Sequence, residues 1–145
     1  PYQVYETAAM GADAMLLIVR ILDDEQLASL LALAHGVGLE TLVEIHDEAD
    51  ARRIAALDVP VVGINNRDLA HFQTDVDRAA RLAATLPRGA AVVAASGIHD
   101  EADIQKSLAA GLRRFLVGET LVKHSDPAAL LRQWIALPVP QILNS

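Results

Sequence analysis

Five short apolar runs recur along the chain, and longer amphipathic stretches separate them. Ala14–Val19 is a run of six apolar residues without polar alternation, and Thr41–His46, Pro60–Asn65, Ala91–Ala95 and Arg114–Gly118 repeat the theme. Their first residues lie 27, 19, 31 and 23 positions apart, room each time for one helix and two loops. Near-continuous apolar strands of this length, each followed by a helical stretch, predict a parallel sheet assembled from βα units.

The helix boundaries carry their own signals. Asp23 precedes Asp24-Glu25-Gln26, close to a capping box, and Gly36 or Gly38 can end the helix that follows. Asp47, Asp75 and Asp100 are placed to cap helices reaching about Leu57, about Leu86 and beyond Asp100. Asp126 before Pro127 sets a cap ahead of a proline at the first helical position, starting a helix through about Ala136. With one leading helix, the count is five strands and about six helices. No linker or low-complexity stretch divides the chain, so residues 1–137 read as one domain. The tail 138–145, with two prolines and no helical pattern, reads as irregular. A closed (β/α)₈ barrel takes about 250 residues. The pattern therefore leaves two architectures open, an open α/β sheet and a piece of a barrel.

Composition narrows the function classes. The 145 residues include 12 Lys+Arg against 19 Asp+Glu, a formal net charge of -7, which argues against a nucleic-acid partner. A hydrophobic content of 52% with 21% charged residues excludes a disordered chain. With no cysteine, thiolate metal sites, disulfides and Cys nucleophiles are excluded, and a cytoplasmic location is expected. The longest stretch free of formal charge, Gln26–Leu39, has 14 residues, short of the roughly 20 that a membrane span needs. No signal peptide is visible at the start.

Polar groups gather at the C-terminal ends of the apolar runs, where parallel α/β architectures bind ligands. Glu44 stands inside a run, between Val43 and Ile45. A carboxylate there either faces a site, where desolvation fits it for acid/base work, or forms a structural ion pair. Asn65 could orient Glu44 from the neighbouring strand or satisfy a loop, and Arg67 could bind an anion or form a surface salt bridge. The turns Ser96-Gly97-Ile98 and Gly118-Glu119-Thr120 suit a phosphate cradle, since missing side chains let oxygens approach backbone N–H groups. They also suit plain turns. A carboxylate at Glu119 would have to face away from a phosphate. The five histidines, at 35, 46, 71, 99 and 124, show no metal-ligand spacing and read as surface or capping residues. Arg52-Arg53 and Arg113-Arg114 read as solvated faces, and Phe72 and Trp134 as packing residues.

In order and at this spacing, Thr41-Leu-Val-Glu-Ile-His-Asp-Glu48 and Val62-Gly-Ile-Asn-Asn-Arg-Asp-Leu69 closely resemble indole-3-glycerol-phosphate synthase. So do the opening Pro1-Tyr-Gln-Val-Tyr-Glu6 and Gly11-Ala-Asp-Ala-Met-Leu-Leu-Ile18. Ala95-Ser-Gly-Ile98 and Leu116-Val-Gly-Glu119 agree but are shared by many phosphate-binding barrels. The likeness is collinear from Pro1 to about Ala136. It implies a (β/α)₈ barrel, here partial, with five parallel strands. It also implies ring closure of 1-(2-carboxyphenylamino)-1-deoxyribulose 5-phosphate with loss of CO₂ and water, without cofactor or metal. By the resemblance Glu44 is the acid/base carboxylate of the family's fifth strand, and Asn65 the amide that positions it and the substrate. Arg67 would contact the anionic substrate, and Ser96, Gly97, Gly118 and Glu119 would carry the phosphate loops.

Two departures accompany the resemblance. The family has Glu-Ser-Gly-Ile where this chain has Ala95-Ser96-Gly97-Ile98. Matching the family also places Pro1 just after its third strand, so the segment with the catalytic lysine, and a phosphate-binding lysine and glutamate, is not in these residues. A chain of this kind would present unpaired apolar edges at 14–19 and 114–118. It is expected to fold as a homo-oligomer or with a complementary N-terminal barrel fragment, and to be inactive alone. The alternative is a non-catalytic half-barrel that self-assembles or binds a phosphate ligand. A small phosphorylated substrate is the expected partner; nucleic acid and membrane are not.

Overall fold

The computed structural model describes residues 1–65, 76–86 and 89–140. The elements run α1 (Tyr2–Ala9), β1 (Ala14–Ile18), a 3₁₀ turn (Val19–Ile21), α2 (Asp24–Gly36), β2 (Glu40–Ile45), α3 (Glu48–Ile54) and β3 (Val61–Asn65). They continue with α4 (Val76–Thr85), β4 (Ala91–Ala95), α5 (Glu101–Ala109), β5 (Phe115–Leu116), α6 (Glu119–Lys123) and α7 (Pro127–Ile135).

The strands form one parallel sheet in the order β1-β2-β3-β4-β5. This order chooses between the two architectures. Each crossover steps one strand in the same direction, and right-handed crossovers then place every connecting helix on one face. A doubly wound sheet would reverse direction and cover both faces. The sheet is an arc of a (β/α)₈ barrel.

Strand alternation sorts the side chains. Leu17, Val43, Ile45, Val62, Ile64 and Ala94 point to the helical layer and are buried there with Leu27, Leu31, Ile54 and Leu82. The register puts Leu16, Leu42, Val61 and Ala91 level on the other, inner face, with Glu44, Gly63 and Val93 one step further along. Asn65, Ala95 and Leu116 form the next level. Leu16 and Leu116, on the two outermost strands, are each 48% exposed.

The aspartate caps form as the sequence predicts. Asp23 and Gln26 make a reciprocal capping box at 2.8 and 3.2 Å, and Gly38, at φ +83°, ends α2. Asp100 accepts from Asp103 N–H at 3.0 Å and Asp126 from Ala129 N–H at 2.9 Å. Asp75 lies outside the described residues.

Several elements differ from expectation. There are seven α-helices among the described residues; α6, five residues long, is the additional one, too short to show a helical period. β5 has two paired residues where the five residues Arg114–Gly118 were read as a strand. Arg53 is not a solvated residue. Its guanidinium reaches Asp24 Oδ1 at 2.6 Å and the carbonyls of Val19 at 2.8 Å and Leu22 at 2.5 Å, clamping the 3₁₀ turn to α3. Arg113 likewise donates to the carbonyls of Leu108 and Pro140. Trp134 is buried with Ile98, Ile104 and Leu108, whereas Phe72 lies outside the described residues.

Candidate active site

The buried Val43 and Ile45 fix the register of β2, and strand alternation then turns Glu44 to the inner face near the C-terminal edge. Its ladder partner on β3 is Gly63, and Asn65 is the next inner residue along that strand. Asn65 Nδ2 donates to Glu44 Oε1 at 3.2 Å. Gly63 keeps the floor beside this pair low: a Cβ there would meet Leu42 Cδ1 at 3.3 Å and approach Glu44 Cα at 3.9 Å.

A third group joins them. His46 is 6% exposed and Asp50, in the first turn of α3, is 5% exposed. The His46 ring spans the two carboxylates, with Nε2 3.5 Å from Glu44 Oε1 and Nδ1 3.6 Å from Asp50 Oδ2. Asp50 Oδ2 also accepts the His46 backbone N–H at 2.9 Å. The reading of His46 as a surface or capping residue is therefore corrected: a histidine two residues after an inward-facing strand residue continues on the same side, into the strand–helix turn. The spacing Glu44-x-His46-x-x-x-Asp50 was the available signal. His99 lines a loop, His124 Nδ1 accepts the Asp126 N–H at 3.0 Å, and His71 lies outside the described residues.

Asp47 secures the turn that carries His46 and Asp50. It accepts from Ala49 N–H at 2.9 Å and Asp50 N–H at 3.0 Å, and pairs with Arg20 at 2.9 Å. The Asp50 N–H is the main cause holding its carboxyl below the usual value; burial opposes, and the Arg20 charge and Ala49 N–H assist.

At the same C-terminal edge, the loops after β4 and β5 enclose a cavity of about 310 Å³ lined by Ser96, Gly97, His99, Gly118, Glu119 and Thr120 among others. Ser96 (φ 68°) and Gly97 (φ 74°) are consecutive left-handed residues, and Ser96 is the non-glycine residue that bears the strain. Thr120 Oγ1 donates to Ile98 O at 2.6 Å, tying one loop to the other. The Glu119 carboxylate is engaged by Lys123 Nζ at 2.7 Å, one turn along α6. The geometry thus brings together Glu44 with Asn65, and separately Ser96, Gly97, Gly118 and Glu119. Ala95 presents a buried methyl beside Asn65 in the ladder. Arg67 lies outside the described residues. No cluster of His, Cys, Asp and Glu that could hold a metal occurs among the described residues, and no described helix is long and apolar enough to cross a membrane.

Comparison with known proteins decides the family. The family model of indole-3-glycerol phosphate synthase matches residues 1–134. The chain belongs to the indole-3-glycerol phosphate synthase family. It is similar to the indole-3-glycerol phosphate synthase of Desulfosudis oleivorans, 49% identical over 132 residues covering 91% of this chain and 50% of the relative. The corresponding protein of Acidithiobacillus ferrooxidans is 44% identical over the same shares. The chain thus spans about half the length of the curated synthases it matches. Among solved structures, thiamine phosphate pyrophosphorylase from Pyrococcus furiosus superposes with TM-score 0.72 at 14% identity, covering 91% of this chain and 62% of that one. A chain described as a native KDPGal structure gives TM-score 0.69 at 20% identity, covering 93% and 62%. At these identities the likeness concerns the fold.

Proposed function

We propose that this chain supplies the Glu44 part of an indole-3-glycerol phosphate synthase active site. The reaction is ring closure of 1-(2-carboxyphenylamino)-1-deoxyribulose 5-phosphate to indole-3-glycerol phosphate, with loss of CO₂ and water. The observation carrying this reading is the Asn65–Glu44 hydrogen bond at the C-terminal edge of the sheet, in a chain whose family performs that chemistry. Glu44 exchanges protons with the substrate as the ring closes and water leaves. Asn65 fixes the carboxylate and the substrate, and Arg67 contacts the substrate's anionic group. The phosphate lies against the N–H groups of Ser96 and Gly97, two residues at positive φ, and of Gly118 and Glu119, where the missing Gly118 side chain leaves room for oxygens. The turn of Glu119 toward Lys123 supports this, because it draws the carboxylate charge away from an arriving anion.

The reading requires the part of the barrel that these residues do not include. The lysine that the family uses as general acid is not among these residues, and general acid catalysis is worth about 10²–10⁴-fold. The exposure of Leu16 and Leu116 supports completion of the inner face by a complementary N-terminal barrel segment or by a second copy of the chain. The test is a fluorescence assay for indole-3-glycerol phosphate, with the purified chain alone and mixed with the N-terminal half of a family member. Turnover in the mixture and none from the chain alone is the expected result. No turnover from a mixture shown to associate would overturn the proposal.

A further inference from the structure

His46 is a buried histidine that the proposed chemistry leaves without a role. Its Nδ1 has no hydrogen-bond partner among the described residues, although it is buried and faces Asp50 Oδ2 at 3.6 Å. Its Nε2 faces Glu44 Oε1 at 3.5 Å. Ionised carboxylates only accept, so a bare imidazole nitrogen aimed at one sets lone pair against lone pair. Each ring nitrogen that meets a carboxylate productively does so through a hydrogen.

We infer that His46 is a positioning residue for Glu44, donating from Nε2 to Oε1 while Asp50 anchors the His46 backbone. The inference deepens the proposed function and rests on it for its catalytic meaning. Asp50 fixes the His46 backbone by accepting its N–H at 2.9 Å, and the buried ring lies between the Asp50 and Glu44 carboxylates at 3.6 and 3.5 Å. Asn65 donates to the same Oε1 from the neighbouring strand at 3.2 Å. Both donors converge on one oxygen, one from beyond the strand end and one from across the ladder. A carboxylate held this way cannot rotate freely about its terminal bond, and Oε2, which neither donor engages, is the oxygen presented for proton transfer. The side chain is pre-aimed before substrate arrives, and positional errors of about 1 Å in such groups cost on the order of 10²-fold in rate.

The first test is spectroscopic and does not depend on turnover. Long-range ¹H–¹⁵N correlation spectra of the imidazoles in the 145-residue chain at neutral pH read which nitrogens carry hydrogen. The expected result is hydrogen on His46 Nε2, alone or together with Nδ1, and a shift of that nitrogen's signal in Glu44→Gln while His35 and His124 stay unmoved. Hydrogen on Nδ1 alone, or an unmoved His46 signal in Glu44→Gln, would overturn the inference even if the chain proves active. The second test uses the reconstituted mixture. His46→Gln retains an amide donor at a similar reach and keeps most of kcat, whereas His46→Leu loses about 10- to 100-fold in kcat with little change in KM. Equal losses in the two variants would contradict a donor role. If no turnover is obtained the function proposal fails, and the spectra still decide where the His46 hydrogen lies.

Discussion

Asn65 Nδ2 lies 3.2 Å from Glu44 Oε1, so an amide at the end of β3 holds a carboxylate from β2 across the ladder. Gly63, the ladder partner of Glu44, leaves the inner face beside the pair open, since a Cβ there would crowd Leu42 Cδ1 at 3.3 Å. Replacing the donor by a second carboxylate tests the contact directly. In Asn65→Asp two like charges share one oxygen's neighbourhood, and one of the two titrates at a raised pH. A carboxyl whose folded pKa is raised destabilises the fold as pH climbs through that value. The melting temperature of Asn65→Asp should therefore lie below that of the unmodified chain at neutral pH, by a smaller margin in acid, where the added carboxyl is protonated. A difference that stays constant or narrows with rising pH would contradict the contact.

Asp47 closes the turn that carries His46 and Asp50, and its loss should be felt in stability. Asp47→Ala removes the cap of α3 and should cost about 1 kcal/mol in urea unfolding near neutral pH. The Arg20 pair adds little, since both partners are substantially exposed. The folded pKa of Asp47 is held below the ordinary aspartate value of 3.8, so its contribution is complete above about that pH and is lost as pH falls through the folded value. The gap between Asp47→Ala and the unmodified chain should narrow in acid. A gap that widens would reverse the assignment.

The loops after β4 and β5 offer a test without substrate. Inorganic phosphate at millimolar levels should raise the melting temperature by mass action if the cavity binds it. Gly118 has open space where a Cβ would stand and an ordinary φ of -111°, so Gly118→Ala should leave the fold as stable as before. The same methyl should reduce the phosphate-induced shift by crowding the backbone N–H groups. An undiminished shift in Gly118→Ala would place the anion elsewhere.

Leu16 tests the edge. As an apolar inner-face residue on the first strand, 48% exposed, it should lie in the contact that completes the sheet. Sedimentation should show the chain associating with itself or with the N-terminal half, and Leu16→Lys should weaken that association. A chain that remains a cooperatively melting monomer under both conditions would contradict the need for completion.

Much of the fold could be read from the chain because strands buried in a parallel sheet write themselves as unbroken apolar runs. β1 to β4 fall within one residue of those runs at every end. The caps at Asp23, Asp47, Asp100 and Asp126 were legible because a cap is a local matter, decided within three residues. Strand order was not legible, since it depends on which strands pair and not on what each contains. α6 is shorter than two helical turns and leaves no periodic trace. The contacts of Arg53 escaped for a different reason: its partners lie 29 to 34 residues away in sequence, and nothing near Arg53 announces them. Glu44 stood out as a carboxylate inside an apolar run, and Asn65 as an amide at the end of one. His46 was passed over because a histidine judged by metal-ligand spacing stands alone; its signal is the Glu44-x-His46-x-x-x-Asp50 register, and the fold brings both carboxylates to its two nitrogens.

The account turns on Glu44, and the most direct measurement is the rate of indole-3-glycerol phosphate formation by the chain reconstituted with an N-terminal half, compared with the same mixture carrying Glu44→Gln. The substitution keeps size and a hydrogen-bond acceptor but removes the proton-accepting charge. Turnover should fall by about 10²-fold or more, with association and melting temperature unchanged. An undiminished rate in Glu44→Gln would contradict the account.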